Sequence, residues 1–217
     1  MLVIDTATQA TVVGVRVGAE VVERRHDPAT GERPGHVSQV LGLAEEALAV
    51  AGTELSALER IGVGVGPGSF TGLRIGIATA RALAHATGLA LSPVSTLGAL
   101  AIAAGDDPVL AVLDARRGEA FVALWEAGRQ VSAPRAVSPE DLAHAAGGAA
   151  VAVGDGALRF RERLESAGIS VPADDSPLHR VSAAGLTRLA EDAPVVRRDA
   201  LLPVYARAPD AKPRSDR

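Results

Sequence analysis

The residues of this sequence whose types and spacing could do chemistry are few. The first group is a glycine-rich run, Gly66-Pro67-Gly68-Ser69-Phe70-Thr71-Gly72-Leu73-Arg74-Ile75-Gly76-Ile77-Ala78, that follows a strand-like apolar stretch and opens a helix-like one. Glycine permits backbone angles and close approaches that side chains forbid, and free N–H groups at a helix start attract anions. A phosphate-cradling Walker A loop needs Gly-Lys-Ser/Thr, yet the chain's single lysine is Lys212, close to its end. The dinucleotide fingerprint fails too, because Thr71 stands where the third glycine belongs and no Asp or Glu occurs from 61 to 105 to hold a ribose. The run therefore reads first as a tight structural turn. Ser69 is no nucleophile elbow, since the order is Gly-Ser-Phe-Thr-Gly rather than Gly-x-Ser-x-Gly.

The histidines are His26, His36, His85, His144 and His179, none close enough in sequence to another to form a local metal-binding pair. The absence of cysteine removes thiolate nucleophiles, disulfides and zinc–thiolate sites together. With Lys212 near the terminus, Schiff-base chemistry is excluded as well. Two aspartates remain: Asp5 ends the run Leu2-Val3-Ile4, and Asp114 ends Val109-Leu110-Ala111-Val112-Leu113, each beside a turn. Turn formation is the ordinary reading for such residues and the preferred one for Asp114.

The elements that must position these groups repeat. Asp5 and Asp114 are 109 positions apart, as are Val12 and Phe121, and both halves read as strand, turn, strand. Further strands are expected over 20–25, 61–65, 91–94, 130–137 and 149–153. Apolar residues at three- and four-residue steps predict a helix over 36–51, with Gly52 as its stop. A second helix is expected over 70–87, others over 96–104 and 157–167, one opened by Ser138-Pro139-Glu140, and one over 182–191 capped by Ser182. The 70–87 helix is apolar on most of its circumference, with Arg74 and Arg81 two turns apart on one face. Two accounts stand: a helix buried all round, or one that joins the 36–51 helix in a surface covered by a second protein.

Composition sets the frame. With 217 residues, 47% hydrophobic and 22% charged, the chain can bury roughly 70% of its unfolded surface. The net charge of -4 and 2% aromatics argue against a primary grip on nucleic acid, which relies on clustered cations and stacking platforms. No apolar span reaches 18 residues and the first residues lack a basic n-region, so a cytoplasmic protein is expected.

Asp5-Thr6-Ala7-Thr8, the glycine run 66–76, Val94-Ser95-Thr96-Leu97, Leu113-Asp114-Ala115-Arg116-Arg117-Gly118-Glu119 and Pro203-Val204-Tyr205-Ala206-Arg207 together resemble the TsaB family, also called YeaZ. They occur in the family's order from residue 2 to about 207. The resemblance implies an α/β fold of the actin-like ATPase superfamily (ribonuclease H-like) with two duplicated lobes: an N-terminal lobe over 1–107, a C-terminal lobe over 108–208, and a tail over 209–217 whose composition reads as disordered. It implies a non-catalytic partner subunit of the complex that forms N6-threonylcarbamoyladenosine in tRNA, docking and activating the catalytic subunit TsaD together with TsaE. The tRNA would be met only indirectly, and no membrane is involved. TsaD-like sequences carry a metal-binding histidine pair one helical turn apart downstream of the Gly-Pro-Gly turn; here Thr96 and Leu100 stand in those places, and neither replaces an imidazole.

No catalytic residue, no metal site and no intrinsic cofactor are expected, with ATP or ADP confined to the subunit boundary of the complex. Val37, Val40, Leu41, Leu73, Arg74, Ile77 and Arg81 are expected to face the partner, and the same patch to form a homodimer when the chain is alone. In the superfamily, Asp5 and Asp114 would lie where phosphate and magnesium are handled, so Asp5, with Thr6 beside it, is a candidate for weak nucleotide contact. The competing readings are a small-molecule kinase or ATPase of the same superfamily and a metallopeptidase; the missing histidine pair weighs against the latter.

Overall fold

The computed structural model describes residues 1–29 and 31–207; the expected tail and Lys212 lie outside the described residues. The first sheet is built from β1 (Leu2–Asp5), β2 (Thr11–Val17), β3 (Glu20–His26), β4 (Arg60–Gly66) and β5 (Ala90–Ser95), in the order β3-β2-β1-β4-β5. Strands β1 to β3 pair antiparallel, while β4 and β5 join in parallel, each preceded by a helix: α1 (His36–Val50) and α2 (Phe70–Thr87). After α3 (Thr96–Ala103), the second sheet repeats this plan. β6 (Val109–Asp114) pairs antiparallel with β7 (Ala120–Glu126), and parallel with β10 (Val151–Val153). The short strands β8 (Arg129–Gln130) and β9 (Arg135–Val137) edge β7.

Alternation along the strands sorts side chains into layers. Leu2, Ile4, Val13, Val15, Ile61 and Val63 face outward onto α1 and α2. Leu110, Val112, Val122 and Leu124 face outward from the second sheet, onto α4 (Leu142–Ala145), α5 (Asp155–Arg159) and α6 (Arg161–Ser166). Val3, Val12, Leu113, Phe121 and Trp125 face inward and share one core with Leu97 and Leu100 of α3 and Leu186 of α7 (Ala183–Asp192). The result is a five-layer α/β stack of two related halves around α3 and α7, as the fold class required. No helix among the described residues is long and apolar enough to cross a membrane.

Several expectations need correction. The 109-residue offset describes the first strands but not their partners: Asp5 pairs with Val12, whereas Asp114 pairs with Ala120, so the second turn is one residue shorter. The strand expected over 130–137 is split around Pro134, which has no N–H to give a ladder. The helix expected over 157–167 breaks at Phe160, whose φ of -110° is not helical. Ser138 does not cap a long helix; its hydroxyl donates to Asp141 and only a 3-10 turn and the short α4 follow. Finally, α7 and Leu201 come after residue 107 yet complete the first half: α7 packs across β1, β2, β4 and β5, and Leu201 is fully buried among Leu2, Ile61 and Ala84. The two halves are thus interleaved in sequence.

Candidate functional site: an inter-lobe cleft beside a two-helix face

Glycines set how closely α2 meets the first turn. Ser69 caps α2, its hydroxyl accepting from Gly72 N–H at 3.2 Å, and Ser69 N–H donates to Ala7 C=O at 2.7 Å. The Thr6 hydroxyl donates to Gly72 C=O at 2.7 Å. A Cβ on Gly72 would collide with the Thr6 carbonyl, and one on Gly76 with the Thr6 hydroxyl. The glycine run therefore lets a helix lie directly on a turn, and its glycines need no ligand to explain them.

That packing sets the surroundings of Asp5 and Thr6, the sequence's candidates for a weak nucleotide contact. Both are buried. Asp5 points into the inner layer, where Oδ1 accepts from Ala7 N–H at 2.9 Å and Oδ2 from the Thr96 hydroxyl at 2.7 Å, against Gly64. Burial pushes its carboxyl up to about 6, partly offset by those two hydrogen bonds. Neither residue lines the cleft described below. Thr6 is spent on Gly72, and Asp5 holds α3 to β1 rather than presenting an oxygen to a ligand.

The expected partner face also divides. α1 and α2 lie side by side on the outer surface of the first sheet. Val40, Leu73 and Ile77 are core residues beneath them, at 2%, 0% and 5% exposure, so they support this face and do not form it. Val37 and Leu41 are exposed at 76% and 51%, and Arg74 is exposed on α2, its guanidinium 3.8 Å from the Phe70 ring centre. Nor is α2 buried all round: Gly72, Leu73, Gly76, Ile77, Ala80 and Ala84 form one buried stripe, and the small Ala78 and Ala82 are exposed. Arg81 is half-buried and donates to Leu201 C=O at 2.7 Å, clamping the C-terminal segment. Arg81→Ala is expected to lower stability by about 1.5–3 kcal/mol through loss of this charged hydrogen bond, read as a fall in the thermal midpoint of the free chain.

That segment is the feature sequence reasoning missed. After Leu201, Val204 N–H donates to Val65 C=O of the first sheet at 2.8 Å, and Tyr205 packs on Phe70 with ring centres 5.5 Å apart. Ala206 C=O then accepts from Ala136 N–H of the second sheet at 3.0 Å, and Arg207 binds Ala115 C=O at 3.1 Å and the Glu119 carboxylate. The segment straps the two halves together. Its motif, Pro203 to Arg207, is visible in the sequence, but an irregular strand-like passage has no periodicity to reveal what it crosses.

Strap, turns and helix enclose a cleft of about 610 Å³, lined among others by Thr8, Gln9, Ser69, Thr71, Asp114, Arg116, Arg117, Asp155 and Arg207. Asp114 is there, unlike Asp5. Its Oδ1 accepts from Arg116 N–H at 2.9 Å, as a turn-forming Asp should, and its Oδ2 lies 3.4 Å from Arg159 and 3.5 Å from Arg116. Thr96 and Leu100 are both buried in the inner core, Thr96 bonded to Asp5. Among the described residues no three His, Asp or Glu side chains converge as a metal site would require.

Comparison with known proteins gives one consistent result. The family model "TsaD: tRNA N6-adenosine threonylcarbamoyltransferase" matches residues 28–160, more than half of the chain. An uncharacterized Mycobacterium bovis protein is 34% identical over 98% of this chain and 94% of its own length. The Escherichia coli tRNA threonylcarbamoyladenosine biosynthesis protein TsaB is 36% identical over 58% of this chain and 54% of its own. An uncharacterized Mycobacterium leprae protein is matched over only 40% of its length, at 36% identity. A solved Pseudomonas aeruginosa structure, described as similar to the peptidase YeaZ, superposes with a TM-score of 0.78 at 27% identity, covering 95% of this chain and 98% of that one.

Proposed function

This chain belongs to the TsaB (YeaZ) family of TsaD-type proteins, and from that premise we propose that it is a non-catalytic subunit in the formation of threonylcarbamoyladenosine in tRNA. It docks the catalytic subunit TsaD and, with TsaE, supports its activity in the cytoplasm, meeting tRNA only through the assembly. The observation that carries this reading is the state of Thr96 and Leu100. Where the catalytic paralogue has imidazoles, this chain has a hydroxyl donating to Asp5 and a leucine sealed in the inner core. A metal-binding role there would need free donors and access, but the Thr96 hydroxyl is engaged by Asp5, Leu100 has no donor atom, and both are buried. The docking face of the proposal is the outer side of α1 and α2, where Val37 and Leu41 offer apolar surface next to Arg74 and the exposed alanines of α2. Exposed aliphatic residues on such a face are the kind a partner covers, and in the free chain a second copy is expected to cover them.

The test is a double substitution, Val37→Asp with Leu41→Asp. Both side chains are exposed, so the fold is expected to change by no more than about 0.5 kcal/mol. Burying two carboxylates in a helix–helix interface is expected to weaken co-purification with the same organism's TsaD roughly a hundredfold or more. Undiminished co-purification removes this face from the proposal.

A further inference from the structure

Helices α2, α3 and α7 each open on a serine whose hydroxyl accepts a backbone N–H of the first turn, but α1 does not. Its N-cap is Gly35, and no acid stands in its first turn. Ser38 and Gln39 N–H both donate to the one Gly35 carbonyl, at 3.0 and 2.9 Å. A side chain ties this turn to the sheet instead. His36, the first residue of α1, has its Nδ1 2.8 Å from the Thr11 hydroxyl of β2. Thr11 is also the strand partner of His26, the last residue of β3. His26 Cε1 lies 3.4 Å from where a Cβ on Gly35 would be, so two imidazoles meet around Thr11 and Gly35 beneath the start of the helix.

This arrangement tolerates a neutral His36 and resists a charged one. His36 is buried, and its Nε2 and the His26 Nδ1 are enclosed without a hydrogen-bond partner among the described residues. A proton added to His36 makes both ring nitrogens donors. Thr11 could then only accept from Nδ1, and the Nε2 N–H would stay buried without a well-placed acceptor. The charge would also sit at the positive end of the α1 dipole. β2 and α2, which pack against α1, contain no Asp or Glu; their ionisable residues are Arg16, Arg74, Arg81 and His85. On the face of β3 turned to α1, Arg24 is 3.9 Å from Glu46 of α1, and Glu20 is at the strand's far end. In the connection into α1, Asp27 is held by Arg25 at 2.7 and 2.9 Å, Glu32 accepts from Ala29 N–H at 3.0 Å, and Arg33 is exposed. Burial holds His36 below the usual histidine range; the Thr8 backbone offsets part of this, and His26 adds to it.

We propose that this imidazole pair is a proton-operated latch on the docking helix: a proton taken by His36 releases the first turn of α1 and loosens the surface at Val37 that a partner is to cover. The link to docking rests on the α1–α2 face proposed above; the latch itself does not. The released turn, with an ordinary imidazole near 6.5, takes the proton more readily than the closed turn. Closure is therefore secure above that value and is lost as pH falls below it.

The test is amide hydrogen exchange of the whole free chain, followed by NMR at Ser38, Gln39 and Val40 from about pH 7.5 to 5.5 and expressed as protection factors. In the parent, protection is expected to fall by up to about tenfold, the limit set by an open-state value of 6.5. His36→Asn keeps a polar atom for Thr11 and cannot take the proton, so its protection is expected to stay constant within about twofold. Thr11→Val keeps the shape and removes the tie, so protection is expected to be roughly fivefold lower already at pH 7.5, as for one lost hydrogen bond. Affinity for the same organism's TsaD, measured in parallel, is expected to fall with pH more in the parent than in His36→Asn. Constant protection in the parent, an equal fall in His36→Asn, or unchanged protection in Thr11→Val overturns the latch. If the turn opens while parent and His36→Asn bind TsaD equally at both pH values, the link to docking is overturned. Failure of the docking face itself shows separately, as undiminished co-purification of the Val37→Asp, Leu41→Asp variant.

Discussion

Gly72→Ala is expected to destabilise the protein by about 1–3 kcal/mol, whereas the same change at Gly42 stabilises it. Both glycines are inside helices, Gly42 in α1 and Gly72 in α2. Alanine improves helix propensity by roughly 1 kcal/mol over glycine at either position. At Gly42 nothing lies within 4 Å of the added methyl, so that gain is kept. At Gly72 the methyl meets the Thr6 carbonyl, a backbone group that cannot swing aside. Overpacking of this kind costs about 1–3 kcal/mol. Lifting α2 to relieve it also loses the Thr6 hydroxyl bond to Gly72 C=O, another ~1 kcal/mol. The losses exceed the propensity gain. In a chain of this size a change of that order moves the midpoint by roughly 2–4 °C per kcal/mol, so thermal melts of the two variants should shift in opposite directions. A neutral or stabilising Gly72→Ala would mean that the first turn yields, and that the glycine motif is not there for contact.

Asp5→Asn is expected to raise stability at neutral pH and to flatten its dependence between about pH 4 and 6. The Asp5 carboxyl lies at 3.8 when unperturbed and at about 6 in the folded chain, so folding takes up a proton in this window. Stability is therefore greatest below the unfolded value and falls as pH rises through the folded one, by about 3 kcal/mol at 1.36 kcal/mol per unit. Asparagine keeps the acceptor for Ala7 N–H but presents N–H to the Thr96 hydroxyl, which must turn from donor to acceptor. That adjustment takes back about 1 kcal/mol, leaving a gain of about 2 kcal/mol at pH 7.5 and none, or a slight loss, at pH 4. His36, buried with its Nδ1 2.8 Å from the Thr11 hydroxyl, is held below the usual histidine range by burial and gives a slope of the opposite sign. The difference between parent and variant, followed by urea unfolding across this range, isolates Asp5. Parallel pH profiles would mean that Asp5 is ionised at no cost, and its inward hydrogen bonds would need another explanation.

The sequence made most of the elements legible because periodicity and caps are local. Ser69, Ser95 and Ser182 each accept the backbone N–H expected of a cap, and α1 ends before Gly52 as its pattern required. The same periodicity misled the choice of partner-facing residues. It finds the strongest apolar stripe of a helix, and on a helix lying over a sheet that stripe faces the sheet. Val40, Leu73 and Ile77 are on it; Val37 and Leu41 are beside it. The direction of Asp5 was equally hidden, because a strand-end aspartate looks the same whether it faces a cleft or α3. What distinguishes the two cases is Gly64 and Thr96, distant in sequence and adjacent in space. The strap was hidden for a related reason: its meaning lies in Arg81, Val65, Ala136 and Ala115, which only the fold brings to it.

The interleaving of the halves has a consequence for synthesis on the ribosome. All five strands of the first sheet have been translated by Ser95, but α7, which covers its inner face, begins at Ala183. At roughly 5–20 residues per second this leaves several seconds in which Val3, Val12 and Val94 wait uncovered. A nascent chain stalled or cleaved before Ala183 should be a client for chaperones, however complete its first sheet.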